Sequence, residues 1–119
     1  MTTVESRTEV VQAISGKWTL TVMAKLERRE IGFAELLTET ELDPRQLSRV
    51  LEKLRQSGLV ERFIQPRNSI PRPRYRLSRV GSEVLVRTGE LAAVWAEFHE
   101  RKSSFSLRAT SGISPQRSR

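Results

Sequence analysis

The stretch "LDPRQLSRVLEKLRQSGLV", Leu42–Val60, decides the fold. Asp43 is suited to cap a helix N-terminus, Pro44 fits the first helical position, and Gln46 stands where it can bond back to the cap. Leu47, Val50, Leu51 and Leu54 follow the i, i+3, i+4, i+7 spacing of one buried helical face. Gly58 supplies a C-terminal stop. At about 100° per residue, Arg45, Arg49, Lys53 and Gln56 fall on the opposite face, with Gln46 and Ser48 on its flanks. A helix with one leucine face and one basic face is therefore expected over residues 43–57.

Downstream lies "RFIQPRNSIPRPRYRLSR", Arg62 to Arg79, with six arginines, three prolines and no acid. "LVERFIQ" and "RYRLS" alternate apolar and polar residues, as half-buried strands do. Pro71 and Pro73 speak against regular pairing between them, so a β-hairpin with a long loop over 66–73 is expected. Upstream, "TEVVQAISGKW" reads as a short helix stopped near Gly16, "KWTLTVMAKLERR" as a second, "EIGF" as a single bridge segment and "FAELLTET" as a third helix. "SEVLVRTGELAAVWAEFHE" closes the domain as a long helix. Two helices joined by a tight turn and followed by a hairpin make a winged helix-turn-helix, mainly α with a small β-hairpin (α+β). Arg62–Arg79 is then the wing and its strands. The expected domain is 1–99, with 100–119 a basic tail too poor in apolar residues to pack.

Composition agrees with this reading. The 119 residues suffice for one modest core, and 21 Lys+Arg against 14 Asp+Glu give +7, which favours a polyanionic partner. Cysteine is absent and His99 is the single histidine, so disulfides and thiolate metal sites are excluded and no metal or cofactor is expected. "MTTVESRTEV" carries charges where a signal peptide needs an apolar run, and no segment matches the length of a membrane span. A cytoplasmic protein with no membrane partner is the expectation.

The motifs "ISGKWTLTVMAKL", "GFAELL", "LDPRQLSRVLEKLRQSGLVER" and "PRYRLSRVGSEVL" resemble, in order and spacing, those of HxlR-type bacterial transcription regulators. The resemblance covers Ile14 to Phe98. It rests on Gly16-Lys17-Trp18, Phe33 to Leu36, Gly58 to Val60, and Tyr75 to Gly81. It implies a homodimeric DNA-binding regulator with MarR-like architecture whose N- and C-terminal helices form the dimer interface. Val10, Ile14, Leu85, Leu91, Val94, Trp95 and Phe98 are the candidate interface residues. Val84, Leu85, Leu91, Val94, Trp95 and Phe98 also exceed what a single helix of a small domain needs to bury. Many members of the family sense electrophiles or oxidants through a cysteine near the N-terminus; this chain has none, so thiol sensing is excluded.

Arginine reads guanine and glutamine reads adenine through paired hydrogen bonds, and the N-terminal half of a recognition helix reaches the bases. Arg45, Gln46, Ser48 and Arg49 are thus candidates for base contact, with Lys53 further along on backbone. Arg67, Arg72 and Arg74 in the wing are assigned to phosphate or the minor groove, and Lys17 to phosphate. The expected function is a regulator, a repressor by preference, that binds a pseudo-palindromic operator on double-stranded DNA. A small-molecule effector is compatible with this, with Trp18 and Trp95 as candidate ligand contacts.

Each assignment has a plainer counterpart. The wing arginines are a solvated loop, Arg45 and Arg49 pair with Glu52 and Asp43, Gln46 serves the cap alone, and both tryptophans are core or interface residues. An enzyme needs a nucleophile, a base and an orienting group together, and no such set is present. The other rivals are a protein- or RNA-binding winged helix and a non-specific architectural DNA binder. The basic outer face of the Asp43–Ser57 helix favours DNA.

Overall fold

The computed structural model describes residues 3–67 and 70–109, without the side chains of 65–67, 70 and 103–109. Five helices and three strands follow one another: α1 (Val4–Ile14), α2 (Thr19–Lys25), β1 (Ile31–Gly32), α3 (Phe33–Thr40), α4 (Pro44–Gln56), β2 (Val60–Arg67), β3 (Ile70–Leu77) and α5 (Arg79–Ala109). α1 begins earlier than its apolar residues suggest, because Thr3 caps it by accepting the Ser6 N–H at 3.0 Å. α2 is shorter than its sequence pattern, starting only after Trp18. Between α3 and α4 the turn is tight, with Glu41 in the left-handed region at φ 59°.

α4 matches the capping chemistry. Asp43 accepts the Gln46 N–H at 2.8 Å, and Gln46 Oε1 accepts the Asp43 N–H at 3.2 Å. Leu47, Leu51 and Leu54 are buried with Val22, Met23, Leu26, Ile31, Leu36, Leu59 and Val60 in one core. Gly58 ends the helix at φ 81°, a conformation glycine adopts without steric cost.

The three strands form one antiparallel sheet in the order β1-β3-β2, so "EIGF" contributes a genuine edge strand paired through Ile31↔Tyr75 and Gly32↔Arg74. The expected 66–73 loop is instead ladder: β2 and β3 stay in register through Ile64↔Pro73, Pro66↔Pro71 and Arg67↔Ile70. The reason lies in the pairing alternation. Ser78 N–H donates to Leu59 O at 3.0 Å, which makes 59/78 a hydrogen-bonded pair. Every second pair from there exchanges bonds: 61/76, 63/74, 65/72 and 67/70. All three prolines fall in the other set, where the backbone nitrogen points away from the partner strand. They remove no bond from the hairpin.

The start of α5 is locked to the turn after α4. Ser78 Oγ donates to Gly58 O at 2.6 Å and accepts the Gly81 N–H at 2.9 Å. A Cβ on Gly81 would overlap the Leu59 carbonyl oxygen. This gives the Tyr75-to-Gly81 motif a physical meaning: both its serine and its glycine are needed where wing, α4 turn and α5 meet.

The chain divides into two compact units, one up to Val86 and one from Arg87 onward. In the first, Val84 and Leu85 of α5, with Ala13 and Ile14 of α1, pack partly buried against the core. In the second, α5 runs on to Ala109, nine residues beyond Glu100, where the tail was expected to begin. Residues 110–119 of that tail lie outside the described residues. Every described side chain from Leu91 to Lys102 is exposed. Among the described residues no helix is long and apolar enough to cross a membrane.

Candidate nucleic-acid interface

The outer face of α4 carries Arg45, Ser48, Arg49 and Lys53, all exposed. Together with Glu52 and Gln56 they line one open hollow of about 480 Å³. The acids that were to neutralise these arginines are engaged elsewhere. Asp43 is held in the cap by Gln46. Glu52 accepts from Arg55 Nε at 3.1 Å and Nη2 at 2.8 Å, and from Gln56 Nε2 at 3.0 Å. These hydrogen bonds, the one from Arg55 foremost, hold the Glu52 carboxyl below its ordinary pKa and raise that of Arg55. Arg45 and Arg49 therefore present their guanidinium groups outward with neither acid bound.

Gln46 shows both readings at once. Its Oε1 is committed to the cap, and its Nε2 donor pair makes no described bond within the protein. Lys53 is partly committed: its ammonium donates to Ser15 O at 2.9 Å and ties the α1–α2 turn to α4. Lys17 lies 5.0 Å above the Trp18 ring in a cation–π contact. A second, smaller cleft of about 240 Å³ joins Lys17, Trp18 and Gln46 to Arg49 and Lys53. Six of the sequence candidates, Lys17, Arg45, Gln46, Ser48, Arg49 and Lys53, thus border two hollows that share Arg49 and Lys53.

The wing arginines differ from one another. Arg72 is exposed on β3. The side chain of Arg67 lies outside the described residues. Arg74 is turned inward: Nε meets Glu30 Oε1 at 3.2 Å and Nη2 donates to Glu30 O at 3.1 Å, fixing the segment before β1 to the wing. Arg76 is likewise occupied, bonded to Glu61 at 2.9 Å and stacked 4.5 Å from the Phe63 ring centre. Arg62 was not among the candidates, yet it lines a hollow with Ser48, Leu51, Glu52, Arg55 and Tyr75. Its place in the acid-free stretch was the available signal.

The interface candidates also separate. Ile14 and Leu85 are largely used within the first unit, and Val10 is 40% exposed. Leu91, Val94, Trp95 and Phe98 are 53–65% exposed and recur at i, i+3, i+4, i+7, a continuous apolar stripe. Trp95 packs 4.4 Å from the His99 ring and 6.4 Å from Phe98.

A helix-turn-helix with a basic outer face and a two-stranded wing is the architecture of winged-helix transcriptional regulators. The family pattern described as HxlR-like helix-turn-helix matches residues 13–103, and the chain belongs to that family. No curated protein matches it in sequence. Among solved structures it is similar to a MarR-family putative regulator from Enterococcus faecalis V583, at 25% identity and TM-score 0.76, covering 87% of this chain and 94% of that one. A MarR-family putative regulator from Porphyromonas gingivalis W83 is 28% identical with TM-score 0.65, over 82% of this chain and 96% of the other. The reduced form of the regulator YodB from B. subtilis shares the fold at 21% identity and TM-score 0.70, over 82% and 93%. Family and fold are those of transcriptional regulators, which are not enzymes, and they imply DNA as the partner.

Proposed function

We propose that this regulator binds a pseudo-palindromic operator as a homodimer and represses by occupying promoter DNA. The observation that carries the reading is the outer face of α4, where Arg45, Ser48 and Arg49 stand exposed while Asp43 and Glu52 are bonded to other partners. A guanidinium without an internal carboxylate is available for paired hydrogen bonds to guanine. Lys17, Lys53, Arg67 and Arg72 supply phosphate contacts, and Arg74 steadies the wing through Glu30. Repression is favoured over activation because it requires occupancy alone.

The Leu91–Phe98 stripe supports the dimer. Four large apolar side chains exposed along one helical row are a surface that a second copy would cover. Two α4 helices in a symmetric pair would enter successive major grooves about 34–36 Å apart.

The test is selection of genomic fragments by the purified protein at about 150 mM salt with competitor DNA, where non-specific attraction is suppressed. An inverted-repeat motif is expected. Salt-sensitive recovery without a motif would replace this reading with an architectural role, and no recovery would favour a protein- or RNA-directed one.

A further inference from the structure

The basic outer face of α4 carries an acid within it. At about 100° per residue, Glu52 falls about 20° from Arg45 in projection, between Ser48 and Arg49. It lines one hollow with Arg45, Ser48, Arg49, Lys53 and Gln56 and a second with Ser48, Arg55 and Arg62; among the described residues no other acid lines either. We propose that Glu52 is a specificity-determining residue. Its carboxylate accepts from the exocyclic amino group of a cytosine in the major groove, and it repels phosphate wherever α4 is not seated on its operator. This rests on the DNA-binding reading above.

Three hydrogen bonds fix the group. Oε1 accepts from Arg55 Nε at 3.1 Å, while Oε2 accepts from Arg55 Nη2 at 2.8 Å and from Gln56 Nε2 at 3.0 Å. A carboxylate has about four acceptor sites, so one is left, on Oε1. The side chain is half-exposed, which leaves that site within reach of a partner outside the chain. Helical side chains lean toward the N-terminus, so Glu52 leans over the turn that holds Ser48 and Arg49, and Arg55 and Gln56 lean back to meet it. The bond from Arg55 lowers the pKa of the carboxyl and keeps it ionised at neutral pH.

A fixed anion with one open acceptor site discriminates among bases. Cytosine alone offers the major groove a donor with no acceptor of its own beside it. Adenine sets its N7 acceptor next to the N6 amino group, and guanine and thymine present acceptor oxygens, all of which a carboxylate repels. The same charge acts the other way on non-specific DNA, where binding is to phosphate. A chain of net charge +7 with an arginine-rich wing attracts any duplex. An acid on its outer face reduces that attraction without weakening recognition of the right base. Were Glu52 only the helix-surface partner of Arg55, its loss would change binding to all duplexes equally.

The test compares the full chain with Glu52→Gln, Glu52→Ala and Arg55→Met, each checked for an unchanged fold by circular dichroism, on the selected operator and on a scrambled duplex. Glutamine reads adenine, so reselection with Glu52→Gln should shift one position of the motif from cytosine towards adenine, and Glu52→Ala should relax that position. In both, the operator-to-scrambled affinity ratio should fall about tenfold, as loss of one base contact implies. The scrambled duplex should be bound about two- to threefold more tightly, the effect of removing one charge about 8 Å from a phosphate in water. Arg55→Met keeps the acid but frees it, and should lower the ratio without changing the preferred base. A wild-type ratio and motif in both Glu52 variants overturns the proposal and leaves the DNA-binding reading standing. Relaxation at a base other than cytosine overturns the cytosine assignment, and unchanged binding of the scrambled duplex overturns the repulsion of phosphate. An unchanged ratio in Arg55→Met overturns the orienting part played by Arg55. Absence of any operator preference in the wild-type protein overturns the DNA-binding reading and this proposal with it.

Discussion

Arg49 and Arg72 are both exposed arginines, yet their positions give them different work. Arg49 lies on the outer face of α4 with no acid bound, so on the proposed docking Arg49→Ala should cost about 1–3 kcal/mol against the preferred operator and relax preference at one base position. Arg72 lies on the wing, so Arg72→Ala should weaken all sequences alike and lower the salt slope by about one. Fluorescence-anisotropy titrations on operator and scrambled DNA at several salt concentrations compare the two, and equal effects on both sequences from both variants would remove α4 from the major groove. Gly81 is a residue of another kind. Gly81→Ala forces a methyl onto the Leu59 carbonyl and should destabilise the fold by about 3 kcal/mol in urea unfolding, as overpacking does. The Arg45, Ser48 and Arg49 face could be read from the sequence because helical periodicity fixes which side chains share a surface. Which arginines are already bonded could not. Arg74 and Arg76 alternate along the strand like any polar pair, and only the approach of Glu30 and Glu61 shows that both are occupied.

Among the elements, α4 has the clearest local code, and its cap is the place to test it. Asp43→Ala removes the bond to the Gln46 N–H and should cost about 1 kcal/mol, with the loss largely recovered in Asp43→Ser. Equal stability of all three proteins would mean the capping box contributes nothing. Sequence placed α4 to within a residue or two at each end because Asp43, Pro44 and Gly58 act locally, Asp43 through its side chain on the first turn and the other two through their own backbone. The wing was legible as a hairpin but not in its length. Proline is a local prohibition only where a strand must donate, and whether it must depends on the parity of its register with β2. That parity is fixed by the Ser78–Leu59 bond, a contact between residues nineteen apart in sequence. The last helix posed the opposite difficulty. Beyond Glu100 the chain is rich in serine and arginine, and α5 nonetheless continues to Ala109, a continuation that no capping residue announces.

At the scale of the whole molecule, the Leu91–Phe98 stripe makes the oligomeric state the decisive property. Trp95→Ala combined with Phe98→Ala should convert a dimer to a monomer in sedimentation velocity, and abolish operator preference while leaving salt-sensitive DNA attraction. A dimer that survives both changes would place the interface elsewhere. Acid stability has a sign that can be stated. Glu35 is held below its ordinary value of 4.5, first by the hydrogen bond from Arg29, and Glu52 below 4.5 by that from Arg55. Carboxyls depressed in the folded state contribute stability that is present above the unfolded value and lost as pH falls through the folded one. Denaturation in fixed urea should therefore steepen below about pH 4.5, with Arg29→Met and Arg55→Met flattening that limb; because both pairs are exposed, salt should flatten it too. The wing prolines carry a last consequence, for the protein in a crowded solution. Pro71 and Pro73 leave the free side of β3 beyond β1 without an N–H to offer, and Pro66 removes one from the free side of β2. A basic hairpin long enough to reach DNA would otherwise be a template for strands from neighbouring molecules. The prolines therefore close the free side of β3 to sheet growth and shorten the open edge of β2 to the N–H groups of Arg62 and Ile64, so the reach of the wing comes with fewer places for a foreign strand to pair.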